Sequence, residues 1–249
     1  MGGELYYITD KELQDSFLDL IDIIIEYVLK VSPNPACKYS SVTNGLYNPA
    51  FLYKVIDKIV NAVGIDKVDL NFSYDLKYRF KSKEDAELVL KNINEFHKRY
   101  NYNVNTQMIL TQYVIDLWKK HEFSVNAFID EKIPGNTLSF LYPHPIHTGY
   151  KLKDFNFKRQ DLIDFVSDLK KENPLVYLNF LLSVKNSCTF KYTMLQDPDA
   201  DPLTDKPHLT NGKEILNPKC GHSILYQCYT DSNKCLLCDL LNLDKEAFL

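Results

Sequence analysis

The sequence has little glycine and little proline, 8 and 11 of its 249 residues, and no low-complexity tract or short repeat. That excludes a repeat array or a compositionally biased linker. It has no surplus of positive charge: 29 Lys and Arg stand against 33 Asp and Glu, a net of −4. No global basic field draws it to nucleic acid, so RNA is expected only as part of a protein–RNA complex. An acidic surface does permit binding to a basic protein groove. No long apolar run occurs either. The most apolar stretch, residues 17–31, is broken by Asp19, Asp22 and Glu26, whereas a span needs about 20 nearly uncharged residues. No membrane segment is expected. The first residues carry neither a basic segment nor a cleavage-site pattern, so secretion is not expected and the cytoplasm is the anticipated compartment. Six cysteines there read as thiols or metal ligands before disulfides.

What is present is a composition with a core to fold. With 45% hydrophobic and 25% charged residues, the chain is ordinary for a soluble protein, and 17 Tyr and 14 Phe are too many to leave in water. Its length suits one domain of moderate size plus an appendage. Thr9 and Glu12 form a capping box. Behind it Leu13, Phe17, Leu20, Ile21, Ile24 and Val28 recur at helical spacing, which predicts a helix to about Val31. Residues 37–42 read as a strand ending at Thr43-Asn44-Gly45. Asn48 caps and Pro49 starts a second helix, with Phe51, Val55, Ile59 and Val63 inward and Gly64 closing it. Residues 68–72 are the next strand. A third helix starts near Ser82 with Asp85 completing its cap and carries Ala86, Val89, Leu90, Ile93 and Phe96. Residues 104–110 predict a strand, Thr111 to Trp118 a short helix, and residues 123–129 one more strand. Residues 134–150 read as irregular, and 154–171 and 174–184 as two helices.

Strands and helices that alternate at this spacing predict parallel βαβ units, hence an α/β fold. Beyond residue 185 the pattern changes to polar turns that hold five of the six Cys. Two regions are therefore expected, residues 1–185 and a cysteine-rich region at 186–249.

Three short motifs occur in a telling order. Gly2-Gly3-Glu4 precedes the first helix, Thr43-Asn44-Gly45 follows the first strand, and the strand Val68-Asp69-Leu70-Asn71-Phe72 runs into Ser73-Tyr74-Asp75, with Arg79 beyond. Over about residues 2–185 this succession resembles the radical S-adenosylmethionine enzymes, whose Gly-Gly-Glu-Pro, Thr-Asn-Gly and Ser-x-Asp elements end successive strands of a partial (β/α) barrel. The resemblance implies a truncated partial barrel of parallel strands. It implies that Gly2, Gly3 and Glu4 receive the amino group of S-adenosylmethionine, through carbonyls that glycines let approach and a carboxylate that pairs with it. It implies that Ser73 and Asp75 lie near its carboxylate and ribose, at the strand edge where ligands of open α/β sheets collect.

Two departures from the family stand out. Leu5 replaces the Pro, and the Cys-x3-Cys-x2-Cys loop that holds the catalytic [4Fe–4S] cluster does not occur; Cys37 is the sole Cys before Cys188. As written, the chain is not expected to form a 5′-deoxyadenosyl radical. A barrel that begins at the end of its second strand leaves residues 37–42 as an open sheet edge. The first helix, a second copy of the chain, or a protein partner adding a strand would have to cover that edge.

The strongest metal signal is Cys220-Gly-His222, Cys228 and Cys235-Leu-Leu-Cys238. Four of these five side chains can close a tetrahedral zinc site, Cys220, His222, Cys235 and Cys238 being the preferred set with Cys228 as a substitute for His222. The resemblance offers another occupant, an auxiliary iron–sulfur cluster in a SPASM- or twitch-like extension. His144 and His147 form a weaker pair, read first as loop histidines. Two functions follow as expectations. One is a non-catalytic radical-enzyme-like protein that binds a protein or protein–RNA partner, as a regulator or mobile-element-type inhibitor. The other is a fragment of a peptide-modifying radical enzyme whose cluster-binding segment lies outside this chain.

Overall fold

The computed structural model describes residues 5–77, 79–141 and 158–189, together with strand residues 209–210, 213–216 and 224–225. It is an α/β protein. Strands β1 (Tyr39–Thr43), β2 (Val68–Tyr74), β3 (Asn105–Ile109) and β4 (Thr137–Leu141) form one parallel sheet in the order 1-2-3-4. Helices α2 (Pro49–Val63) and α3 (Lys83–Tyr100) connect the first three strands. Between β3 and β4 lie α4 (Gln112–Lys119) and α5 (Val125–Lys132). Helix α1 (Lys11–Ile24), extended by a π-helical turn at Ile25–Leu29, precedes the sheet, and α6 (Arg159–Glu172) and α7 (Pro174–Thr189) follow it. Three short strands, β5 (Leu209–Thr210), β6 (Lys213–Leu216) and β7 (Ile224–Leu225), make a separate antiparallel sheet.

The chain divides into two compact units. One comprises residues 1–76, 80–107 and 129–138, the other 77–79, 108–128 and 139–249. In the first, β1 and β2 pair in register with Tyr39 opposite Val68 and Thr43 opposite Phe72. Sequential strand order with crossovers of one hand puts the connecting helices on a single side of a sheet. The side chains obey this. Val68, Leu70 and Phe72 are buried with Phe51, Leu52, Val55, Ile56 and Ile59 of α2 and Val89, Ile93 and Phe96 of α3. Phe72 meets Phe96 edge-on, their centroids 6.2 Å apart. Each such side chain contributes about 1.5–3 kcal/mol by leaving water. In the second unit Phe140 packs edge-on against Phe123 and Phe165, and Trp118 also meets Phe165.

Local capping chemistry accounts for most helix starts. Asn48 Oδ1 accepts from Ala50 N ahead of Pro49, Ser82 Oγ accepts from Asp85 N, and Gly64 ends α2 at φ +94°. Three expectations need correction. The cap of α1 is Asp10, whose Oδ1 accepts from Leu13 N at 3.0 Å, in place of the Thr9–Glu12 box. A carboxylate one residue later satisfies the same free donors. Residues 123–129 alternate like a strand, yet Val125–Lys132 is helical. Ser124 caps it through Ala127 N, and Glu172 accepts from both Ser124 Oγ and Asn126 N. The strand instead lies at Thr137–Leu141, inside the stretch read as irregular, with Leu138 and Phe140 buried.

Candidate functional site

At the carboxyl end of β1, the Thr43-Asn44-Gly45 turn is held by its own side chains. Thr43 Oγ1 accepts from Gly45 N at 3.0 Å, and Asn44 Oδ1 from Leu46 N at 2.8 Å. Gly45 sits at φ +77°, and Asn92 Nδ2 donates to its carbonyl at 2.7 Å. Residues 5–7 lie against the same end, since Asn48 N donates to the Tyr6 carbonyl at 3.0 Å. The Tyr6 and Tyr39 hydroxyls bond at 2.9 Å, and burial raises the Tyr39 hydroxyl pKa. Gly2, Gly3 and Glu4, the residues the resemblance assigns to the cofactor's amino group, precede this segment and lie outside the described residues.

Ser73 and Asp75, the other two, are described. Ser73 is buried near the end of β2, and Asp75 follows the strand with 3% of its surface exposed. Asp75 makes itself felt on Tyr74, whose hydroxyl is pushed up to about 12, first by burial and then by the charges of Asp75 and Glu87. A buried carboxylate at a strand's carboxyl end stands where ligands of α/β sheets bind. Arg79 is exposed. The metal set of Cys220, His222, Cys228, Cys235 and Cys238, and the His144–His147 pair, fall outside the described residues. Among the described residues no three His, Cys, Asp or Glu side chains come together as metal ligands. Cys37 is a half-buried free thiol.

Sequence reasoning passed over the sheet's other face. Because side chains alternate along a strand, the residues between the buried apolar ones face away from α2 and α3. In the first unit they are Ser40, Asp69, Asn71, Asn105, Gln107 and Thr137. They form one hydrogen-bonded band across four strands. Thr137 Oγ1 donates to Asn105 Oδ1 at 3.4 Å, and Asn105 Nδ2 and Gln107 Nε2 donate to Asn71 Oδ1 at 2.9 and 3.2 Å. Asn71 Nδ2 and Ser40 Oγ both donate to Asp69, at 3.1 and 2.9 Å. The Asn105, Gln107, Asn71 and Ser40 donors point along the band toward the Asp69 carboxylate and favour its negative charge, while the Thr137 hydroxyl is shared with the Val104 carbonyl at 3.3 Å. Such a face suits a polar ligand. Its signal in the sequence is the polar half of Val68-Asp69-Leu70-Asn71-Phe72-Ser73 and of Asn105-Thr106-Gln107.

A second surface contradicts an expectation. The helical period of residues 13–28 assigns Leu13, Leu20 and Val28 to the core. Ile21 is buried and Phe17 packs on Phe51 as that period requires, but Ile25 and Leu29 complete the buried face, while Leu13, Leu20, Ile23, Tyr27, Val28 and Val31 are exposed, Tyr27 at 75%. The helix is apolar on two adjoining faces, and only one meets α2. Exposed apolar side chains thus run along α1 and its π-helical extension from Leu13 to Val28, with Val31 exposed in the turn that follows. Val42 of β1, at the sheet's edge, is also exposed. No family model, curated protein or solved structure matches the chain.

Proposed function

We propose that this chain works by binding a protein, as a non-catalytic scaffold of the radical-enzyme type, in the manner of a regulator or mobile-element-type inhibitor. The observation that carries this reading is the exposed apolar stripe of α1. Contiguous apolar surface on a folded protein marks an interaction site, because water penalises it until a partner covers it. The edge position of β1 adds a row of backbone groups that strand addition can use. A photo-crosslinking residue in place of Tyr27 tests the reading. The expected result is a discrete adduct from Tyr27 and none from the same residue at Lys91, an exposed position of α3. Equal labelling at the two positions, or none at Tyr27, refutes it.

The second reading is a radical enzyme whose cluster-binding segment lies outside this chain. Two features favour it: the polar band of the sheet, and the burial of Ser73 and Asp75 at the strand end. S-adenosylmethionine would then lie over Ser73 and Asp75. The cysteine-rich region accompanies either reading. Cys220, His222, Cys235 and Cys238, with Cys228 in reserve, have the thiolate and imidazole donors that structural zinc prefers; an auxiliary iron–sulfur cluster is the alternative on thiolates alone.

A further inference from the structure

We infer that the partner seated on α1 presents an amphipathic helix with basic residues along one border of its apolar face. This rests on the protein-binding reading and adds the partner's chemistry. At 100° per residue, Leu13, Leu20 and Ile24 share one sector of α1, and the exposed Tyr27 and Val28 follow in its π-helical extension. Glu12, Asp15, Asp19 and Asp22 fill the adjoining sector of α1 and form an acidic ridge beside the stripe, and Glu26 follows in the extension. Two of the five are satisfied within the chain, Asp22 by Lys58 and Glu26 by Lys30. Glu12, Asp15 and Asp19 have no ion pair among the described residues.

The ridge selects among occupants. A second copy packed antiparallel would set one acidic ridge against the other, and like charges side by side oppose that pairing. An anionic membrane surface is repelled for the same reason. A helix with Lys or Arg beside its apolar residues buries the stripe and neutralises Glu12, Asp15 and Asp19 together. This is the helix-in-groove mode, read as anchors at helical spacing, with the charge pattern supplying selection.

The full chain can be titrated with two 18-residue helix-forming peptides, one of leucine and lysine, the other of leucine and glutamate. Binding is read by fluorescence anisotropy at low and high salt. The lysine peptide is expected to bind, and to weaken about tenfold as salt screens the ridge. The glutamate peptide is expected not to bind. Leu20→Asp with Tyr27→Asp removes the stripe at exposed positions and should abolish binding with the far-UV circular dichroism unchanged. Asp15→Lys with Asp19→Lys keeps the stripe and should reverse the preference between the peptides.

Equal binding of both peptides, or a lysine-peptide affinity that neither pair of substitutions changes, overturns the inference. So does a stable dimer in sedimentation that Leu20→Asp with Tyr27→Asp dissolves, because a second copy then holds the stripe. A Tyr27 adduct that the lysine peptide fails to displace sinks the basic-helix inference and leaves protein binding standing. Absence of any Tyr27-specific adduct sinks the reading beneath it.

Discussion

Replacing Gly45 with Ala tests whether the turn after β1 is held by its fit against α3. The backbone there has φ +77°, and a Cβ would stand 2.5 Å from Val89 Cγ1. Two costs add. Left-handed backbone carrying a Cβ costs about 1–2 kcal/mol. The overlap with a fully buried Val costs about 1–3 kcal/mol, because the core yields only by shifting. Gly45→Ala should therefore destabilise by about 2–5 kcal/mol. Val89→Ala removes the two methyl groups that collide and by itself costs about 2 kcal/mol in lost burial. In that background only the Cβ of residue 89, at 3.2 Å, still crowds the new methyl, so Gly45→Ala should cost little beyond the backbone term of about 1–2 kcal/mol. The assay is urea unfolding followed by far-UV circular dichroism on the four proteins of the cycle, read from midpoints at constant slope. An equal cost of Gly45→Ala in both backgrounds would refute the packing argument and leave backbone strain alone.

Asn71→Ala should cost about 1–3 kcal/mol, since it strands Asn105, Gln107 and Asp69 at once; a change within 0.5 kcal/mol would mean the polar band is not a connected network. Asn71→Asp sets a second carboxylate beside Asp69, so the introduced group has a raised pKa when folded. That variant should approach wild-type stability at low pH and fall behind as pH rises past the carboxylate range, and a pH-independent difference would contradict it. The raised pKa of Tyr74 means the unfolded chain loses its proton first. Its share of stability is complete below about pH 10 and declines toward 12, and Tyr74→Phe should flatten the unfolding profile in that window. For the cysteine-rich region, elemental analysis should find about one zinc per chain, lost in Cys235→Ser with Cys238→Ser; iron with sulfide would point to a cluster instead.

Segments that carry their own instructions were legible from the amino-acid order. Asn48 before Pro49, Gly64 at the end of α2, and Ser82 three residues before Asp85 each specify a helix boundary by bonds to the nearest backbone groups. Alternation at Val68-Asp69-Leu70-Asn71-Phe72 specifies a strand, and its recurrence between helices specifies a parallel α/β sheet. Residues 123–129 were not legible, because alternating Phe, Val, Ala and Ile fit a strand by period. The helix is chosen by Glu172, some 46 residues on, accepting from Asn126 N.

Periodicity also shows that α1 has apolar faces but not which one is buried. That depends on where α2 lies, and its packing takes Ile21, Ile25 and Leu29 and leaves Leu20, Tyr27 and Val31 in water. The polar band is the same case across strands. Asp69, Asn71, Asn105 and Thr137 each appear in the sequence as an isolated polar residue. They become one hydrogen-bonded row only when the register of four strands brings them side by side. Bonds between near neighbours can be read from the order of residues, whereas bonds between distant residues exist only once packing has set which faces meet.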